Sequence, residues 1–444
     1  MRVRSVFTAT IVLWALIRGA AGAEPEPAVV SRTTASGLRI VACHDPEAPV
    51  AAIRVLVRAG VADEGRSPGI ARVTAWALLG ANESQSRESV AREIDAIGGS
   101  VTVDIGPDYT AIGCNTTAQA FEHAAWVLGL ALRGAEFDSR SLQEARSAAL
   151  EVARRERSDA YEAAYLAVRQ ALHDASPYRL PFGGDPVVIS SLPRDAVVAF
   201  HRSHYVPANV VVAVYGCVPV QRCMESVERS FGDLRGRPAP RPRWLPGADS
   251  RRAYEPPRSE IIVTGKSALI ALGVRAPAVS SPDYAAFALA SAILGQGKAS
   301  RLYRRTREAL GIGYSVGALY PALEGEGHMM AHIEVSSGRP PEDLARAERV
   351  LVEAVRSMTA APPSEAEVER ARRLLSGQWL VGRQRAAERA LQMARALFYG
   401  VGSKMDEDLP AALRAVTVQD VERVARRYLS RHVIVVARPA SPSP

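Results

Sequence analysis

Lysine is almost missing from this chain of 444 residues. Lys266, Lys298 and Lys404 are the only three among 55 basic residues, and the rest are arginine. The arginines are scattered among 47 acidic residues, whereas nucleic-acid binders gather basic charge into patches interleaved with exposed aromatics. The excess reads as solvated helix faces and excludes a nucleic-acid partner. Cysteine is also sparse. Cys43, Cys114, Cys217 and Cys223 contain no C-x-x-C pair, which excludes a thioredoxin-like redox motif and a zinc ribbon. Cys217 and Cys223 are near enough to pair across a loop, Cys43 and Cys114 fall in predicted strands, and disulfide formation stays open. No G-x-S-x-G, Walker loop or dinucleotide fingerprint occurs, so the commonest hydrolase and nucleotide signatures are missing.

Long apolar runs are confined to the N-terminus. Arg2 and Arg4 precede Val6–Ile17, a run too short to span a bilayer, and Ala21-Gly22-Ala23 supplies an A-x-A cleavage site. Residues 1–23 are therefore predicted to be a secretory signal peptide. No Cys stands at the cleavage point to take a lipid anchor. Export to a periplasm, without stable membrane insertion, is the expectation. Removing Arg2, Arg4 and Arg18 with the leader lowers the formal net charge from +8 to +5. The remaining chain of about 420 residues, with 48% apolar composition, is long enough for two or three domains with full-sized cores.

Residues 235–257 (RGRPAPRPRWLPGADSRRAYEPP) have no periodicity and read as a linker between a first domain, 24–234, and a second, 258–439; residues 440–444 read as a disordered tail. The two halves resemble each other. A helix ending at Tyr205 and followed by a β-branched strand recurs as a helix ending at Tyr428, 223 residues later. Gly99-Ser100-Val101 recurs as Tyr314-Ser315-Val316 at an offset of 215. Near-constant offsets indicate a duplicated domain. Long helical patterns over Glu144–Leu172 and Pro363–Phe398, mixed with strands but without strict β-α-β alternation, predict an α+β fold of two homologous sheet-plus-helix domains.

The most informative stretch lies early. Val55–Glu64 reads as a strand ending in a turn, followed by SPGIARVTAWALLGAN from Ser67 to Asn82. This arrangement, with Glu93–Thr110, SPYRLPFGGD (176–185), YVPAN (205–209) and LGQGKASRLYRRTREALGIGY (294–314), closely resembles the insulinase/pitrilysin family of metallopeptidases across essentially the whole mature chain. The resemblance implies a clam shell of two domains around a cavity, with H-x-x-E-H on the helix after Gly-x-Ala. Two histidines four apart share one helix face and clamp Zn²⁺, with the Glu as general base. Here the positions after Gly69-Ile70-Ala71 hold Arg72, Ala75 and Trp76. A permanent cation, a methyl group and an indole cannot do that work. The family's third ligand is a Glu on a later helix; Glu151 stands near that position, with Val152 beside it, and a solvated helix glutamate is the competing reading for it and for Glu144.

In the second half, the resemblance implies an Arg and, seven residues on, a Tyr that reach substrate from the C-terminal domain. Arg307 and Tyr314 have that spacing. A guanidinium fork and a phenol suit a developing oxyanion; a surface Arg and a core Tyr before a strand is the alternative. His328, His332 and Glu334 alternate as a strand, which spreads them by about 13 Å, too far for one ion. His201 and His204 read as structural. The expected protein is therefore the zinc-less subunit of an exported heterodimeric peptidase. It holds no cofactor itself, binds peptide, and supplies Arg307 and Tyr314 to an H-x-x-E-H partner that carries the zinc. A non-catalytic peptide-binding or envelope-assembly module is the rival.

Overall fold

The computed structural model describes residues 28–238, 258–265, 267–308, 311, 315–336, 339–401 and 405–440, with residues 307, 308, 341 and 405–408 described by backbone alone. The expected leader, residues 239–257 of the expected linker, Tyr314, the side chain of Arg307 and residues 441–444 lie outside the described residues.

The first half runs β1 (Val29–Thr33), β2 (Arg39–His44), β3 (Ala51–Val57), α1 (Ile70–Ala77), α2 (Arg87–Ala96), β4 (Val101–Ile105), β5 (Thr110–Thr116), α3 (Phe121–Gly134), α4 (Ser139–Ser158), α5 (Ala160–Leu172), α6 (Pro186–Ser191), α7 (Arg194–His204), β6 (Val210–Gly216) and α8 (Val220–Phe231). The second runs β7 (Arg258–Val263), β8 (Ala268–Ala276), α9 (Tyr284–Gly295), α10 (Arg301–Tyr303), β9 (Ser315–Leu319), β10 (Gly327–Val335), α11 (Pro341–Ala360), α12 (Glu365–Gly382), α13 (Ala386–Tyr399), α14 (Met405–Ala415), α15 (Val418–Tyr428) and β11 (Val433–Pro439).

Two sheets result, ordered β1-β2-β6-β3-β5-β4 and β7-β11-β8-β10-β9. Apart from β1 they share one topology. In each, the last strand inserts between the first two, parallel to one and antiparallel to the other. Tyr205 caps α7 before β6, and Tyr428 ends α15 before β11, so the offset seen in the sequence joins equivalent places. Val101 and Val316 likewise begin or lie within the edge strands β4 and β9.

The long helical patterns are each divided. Asp159 ends α4, and its carboxylate accepts from the backbone N–H groups of Tyr161 and Glu162 to start α5, because an Asp at this position satisfies the donors that a new helix leaves open. The second pattern begins with a capping box, Ser364 with Glu367, and breaks between Gly382 and Ala386.

Both sheets are apolar on both faces, so successive strand residues enter different cores. Ile53, Val55 and Val57 of β3 pack on one side with α1, α3, α4 and α7, while Ala52 and Leu56 meet Ala390, Met393, Ala394 and Phe398 of α13. In the other sheet, Ile270, Leu272 and Val274 face α9, α11, α12 and α15, whereas Leu269 and Ala271 meet Ala164, Val168 and Leu172 of α5. Each half thus covers the second face of the other's sheet with one alanine-rich helix. The approach is close enough that a Cβ on Gly273 would lie 2.2 Å from Cγ1 of Val168. The two sheet-plus-helix halves are present as expected, but they are interlocked.

Polar contacts fasten the same boundary. Arg58 donates to both carboxylate oxygens of Glu324 at 2.5 and 2.6 Å, and to the Phe398 carbonyl. Buried Asp108 accepts across it from Glu324 N at 2.9 Å and Tyr399 Oη at 3.2 Å, and from Tyr178 Oη of its own half at 2.6 Å. All four cysteines are free thiols, so the possible Cys217–Cys223 bridge is not formed. Among the described residues no helix is long and apolar enough to cross a membrane.

Candidate metal-motif site

Helix α1 starts at Gly69, whose φ of +106° favours glycine. A Cβ there would also lie 2.5 Å from Ile189 Cγ1. Gly69 has no side chain with which to cap the helix. That task falls to Glu64, whose two carboxylate oxygens accept from Gly69 N at 2.9 Å and Ala71 N at 3.1 Å. Glu64 is almost fully buried. Burial pushes its pKa up to about 8, against the lowering effect of those two N–H groups and of Arg72.

The motif positions follow on one face of α1. Arg72 donates through Nη2 to the Phe182 carbonyl at 2.8 Å, and its guanidinium lies 5.1 Å from the Trp76 ring centroid. Burial lowers the Arg72 pKa, while the fields of Glu64 and Glu156 raise it. Ala75 is fully buried, and Trp76 packs against the edge of the helix-side core. The structure therefore brings Arg72 and Trp76 together as a stacked cation–aromatic pair.

Glu151 is not brought there. The buried face of α4 carries Ala145, Ala149, Ala153 and Glu156, and Glu151 is exposed. Helical periodicity explains the difference, since residues 149, 153 and 156 are spaced four and three apart on one face while 151 falls outside it. Glu144 is also half-exposed, paired with Arg87 and Arg140. The carboxylate that does reach this region is Glu156, a residue the sequence reading passed over. It accepts from Gly183 N at 2.7 Å, Phe182 N at 2.8 Å and buried Arg169 at 3.2 Å.

The segment that delivers these backbone groups is the Phe182-Gly183-Gly184 run. A Cβ on Gly183 would lie 2.8 Å from Glu156 Oε2, and one on Gly184 2.7 Å from Gly69 Cα. The double glycine was the available signal: it lets one backbone touch both α1 and α4. Asp185 N then donates to the Pro68 carbonyl, closing the loop on the start of α1. The donor set does not fit a metal ion. A guanidinium, a methyl and an indole stand at the motif positions, and both nearby buried glutamates are engaged, Glu156 by three N–H donors and Glu64 by two backbone N–H groups. Among the described residues no group of three or more His, Cys, Asp or Glu is placed to hold a metal.

The histidines behave as strand and core residues. His328 and His332 lie in β10; His328 is hydrogen-bonded to Tyr165 Oη at 2.7 Å and to His173 at 3.1 Å. His201 Nε2 contacts the Leu132 carbonyl, and His204 Nδ1 the Phe200 carbonyl. Of the second-half pair, Arg307 is described by backbone alone, in a π-helical turn from Arg304 to Glu308, and Tyr314 lies outside the described residues.

Comparison with known proteins agrees with this architecture. Residues 39–180 match the profile described as insulinase (peptidase family M16), and residues 191–375 match the peptidase M16 inactive domain. Together these matches take in well over half of the chain, which belongs to the insulinase (M16) peptidase family. An uncharacterized zinc protease of Mycobacterium tuberculosis is 27% identical over 416 residues, covering 92% of this chain and 93% of the relative. One from Bacillus subtilis is 20% identical over 400 residues, covering 90% and 95%. Among solved structures, a peptidase M16 inactive domain from Pseudomonas fluorescens superposes with a TM-score of 0.84 at 20% identity, covering 94% of this chain and 99% of that one. A chain of Complex III2 from Candida albicans gives 0.73 at 17%, covering 92% and 94%. Likeness at these identities establishes the fold.

Proposed function

We propose that this chain is the zinc-less subunit of an exported, heterodimeric M16 peptidase. It binds peptide and contributes Arg307 and Tyr314 to the site of an H-x-x-E-H partner that carries the zinc. The observation that carries the reading is the state of the motif site. Arg72 is tied to the Phe182 carbonyl and stacked on Trp76, beside a fully bonded Glu156. Random loss of ligands would leave a void, which is costly in a core; here side chains fill the site, and its buried polar atoms without a partner are Arg72 Nε and Thr74 Oγ1. A repacked site on a retained fold supports selection for binding without a metal of its own.

The role assigned to Arg307 and Tyr314 is chemical: a guanidinium and a phenol are donors suited to the carbonyl oxygen that gains charge. Such donors contribute most where they are preorganised and shielded from water. Co-expression with an H-x-x-E-H family member tests it. The pair should cleave an unstructured peptide, this chain alone should not, and Arg307→Ala or Tyr314→Phe should lower kcat by about 10²-fold. Full cleavage by this chain alone, or unchanged kcat in both variants, refutes the proposal.

A second reading is supported by the fold's likeness to a chain of Complex III2: an assembly or peptide-capture module with no catalytic partner. It predicts that affinity purification of the tagged chain recovers no H-x-x-E-H protein.

A further inference from the structure

A cavity of about 360 Å³ opens in the second half between α9, the end of β9, α12 and α14. Its walls are aromatic: Tyr284 and Tyr320, with ring centroids 5.3 Å apart, and Trp379. Leucines of α12 and α14 complete the apolar lining, and two amides, Gln296 and Gln378, supply uncharged polar groups. Such a volume with a few polar groups matches the lower range of ligand-binding pockets. Beyond the cavity, α12 exposes Leu380 and Val381 at 59% and 63%.

Among the described strands, the one beside it is paired on one side only. β9 ends the second sheet, bonded only to β10 among the described strands. Its residues Val316 and Ala318, with Tyr320 just beyond, pack toward the helix-side core where the cavity lies. An extended chain added to the free edge of β9 would point alternate side chains into the same layer.

Internal duplication adds a third observation. Helix α9 stands between β8 and β9 as α1 stands between β3 and β4, and α9 packs on α12 as α1 packs on α4. In the first half, α1 carries Arg72 over the Trp76 ring. In the second, α9 carries Tyr284 and Ala288 on the wall of an open cavity.

We propose that this cavity and the free edge of β9 form a peptide-binding subsite: an extended segment pairs with β9 and places one large aromatic or aliphatic side chain between Tyr284, Tyr320 and Trp379. This rests on the peptide-binding reading above and specifies where a substrate's apolar residue is held.

The test uses the full mature chain and three fluorescein-labelled heptapeptides, Thr-Ser-Val-X-Val-Ser-Thr, with Phe, Ala or Asp at X. The Phe peptide should bind at least about tenfold more tightly than the Ala peptide, and the Asp peptide more weakly still. Ala288→Phe, which fills the cavity from α9, should abolish the preference for Phe. Trp379→Ala, on the half-exposed side of α12, should weaken Phe-peptide binding in the same direction and keeps the question answerable if Ala288→Phe does not fold. N-methylation of alternate amides along one edge of the probe should reduce affinity, as strand pairing requires. Equal affinity for the Phe and Ala peptides, or an unchanged preference in a folded Ala288→Phe protein, overturns the proposal. So does a preference that vanishes on dilution because two copies of the chain cover the face. The measurement needs neither partner nor zinc. A lost subsite with cleavage by the reconstituted pair intact refutes the subsite alone, and a bound probe with no cleavage by any partner refutes the composite site alone.

Discussion

Replacing Arg72 distinguishes a rebuilt site from a decayed one. In Arg72→Ala the Phe182 carbonyl loses a charge-assisted donor at 2.8 Å, worth about 1.5–3 kcal/mol. The stacking on Trp76 at 5.1 Å is lost as well, worth about 0.5–1 kcal/mol at a half-exposed position. Buried Glu64 and Glu156 also lose the cation whose field reaches both. Together these predict a loss of about 2–4 kcal/mol, large against the usual cost of a surface substitution. Arg72→Lys keeps a charge but lacks the fork that donates to the carbonyl while its cation stays over the indole, so it should recover only part of the loss. Urea denaturation followed by tryptophan fluorescence measures both variants against the parent. A loss below about 0.5 kcal/mol for Arg72→Ala would show that the guanidinium is incidental, and the argument from a rebuilt site would fail with it.

Restoring the motif by Arg72→His, Ala75→Glu and Trp76→His should not yield a tight site, because α4 turns Ala153 inward and Glu151 outward; stoichiometric zinc surviving dialysis against a weak chelator would contradict that placement. Residues 28–238 and 258–440 expressed separately should each aggregate, since removing α13 or α5 uncovers a whole apolar sheet face, whereas co-expression should recover a soluble pair. Acid should weaken the contact between the halves at His173 and His328. Burial holds the His173 pKa down to about 3 and lowers that of His328 well below its ordinary value. The unfolded chain therefore binds more protons below about pH 6.5, and these groups' stability contribution, present above that pH, is lost on acidification by about 1.4 kcal/mol per pH unit for each fully uncharged histidine. His173→Gln should flatten the fall in stability between pH 6.5 and 4, and an unchanged slope by denaturation at stepped pH would refute the assignment. Asp108 acts with the opposite sign: its pKa is pushed up to about 6 by burial, so its contribution is present below about pH 4 and lost as pH rises through 6, and Asp108→Asn should remove that part of the profile.

The parts of this molecule legible in its sequence are those governed by local pattern. The duplicated helix–tyrosine–strand unit showed because Tyr205 and Tyr428 each end a helix before a buried strand, and the missing ligands showed because a helix fixes which residues share a face. Longer-range features were hidden. Nothing local in Ala160–Leu172 tells that α5 packs on the other half's sheet, since its apolar spacing is that of any amphipathic helix. Glu151 was the natural candidate because it stands near the expected distance along the chain. Only the phase of α4, set by its start at the Asp138 cap, shows that Ala153 and Glu156 turn inward. The reach of Glu64 back to Gly69 and Ala71 is a loop closure that spacing alone does not encode. Asp159 was readable in principle as a helix start, but it stands inside an apolar rhythm that continues on both sides of it.

The interlocked helices constrain how such a chain can work with a partner. A clam shell that opened by swinging its two halves apart would have to pull α13 off β3 and β6, and α5 off β8 and β11. It would also break the Arg58–Glu324 pair and the bonds from Glu324 N and Tyr399 Oη to Asp108. The two exchanged helices bury Met393, Phe398, Tyr165, Val168 and Leu172, at about 1.5–3 kcal/mol for each large side chain, so that route costs as much as the roughly 5–15 kcal/mol that stabilises a typical domain. The halves must therefore move as one body. Under the proposed function, access for a peptide then has to come from separation of this chain from its proposed partner, with this chain offering a fixed surface. A preformed cavity beside a free strand edge suits that requirement, because it needs no rearrangement to accept an extended segment. A filled, cation-bearing site on the other half suits it as well, since Arg72 stays seated against Phe182 whether or not a partner is bound.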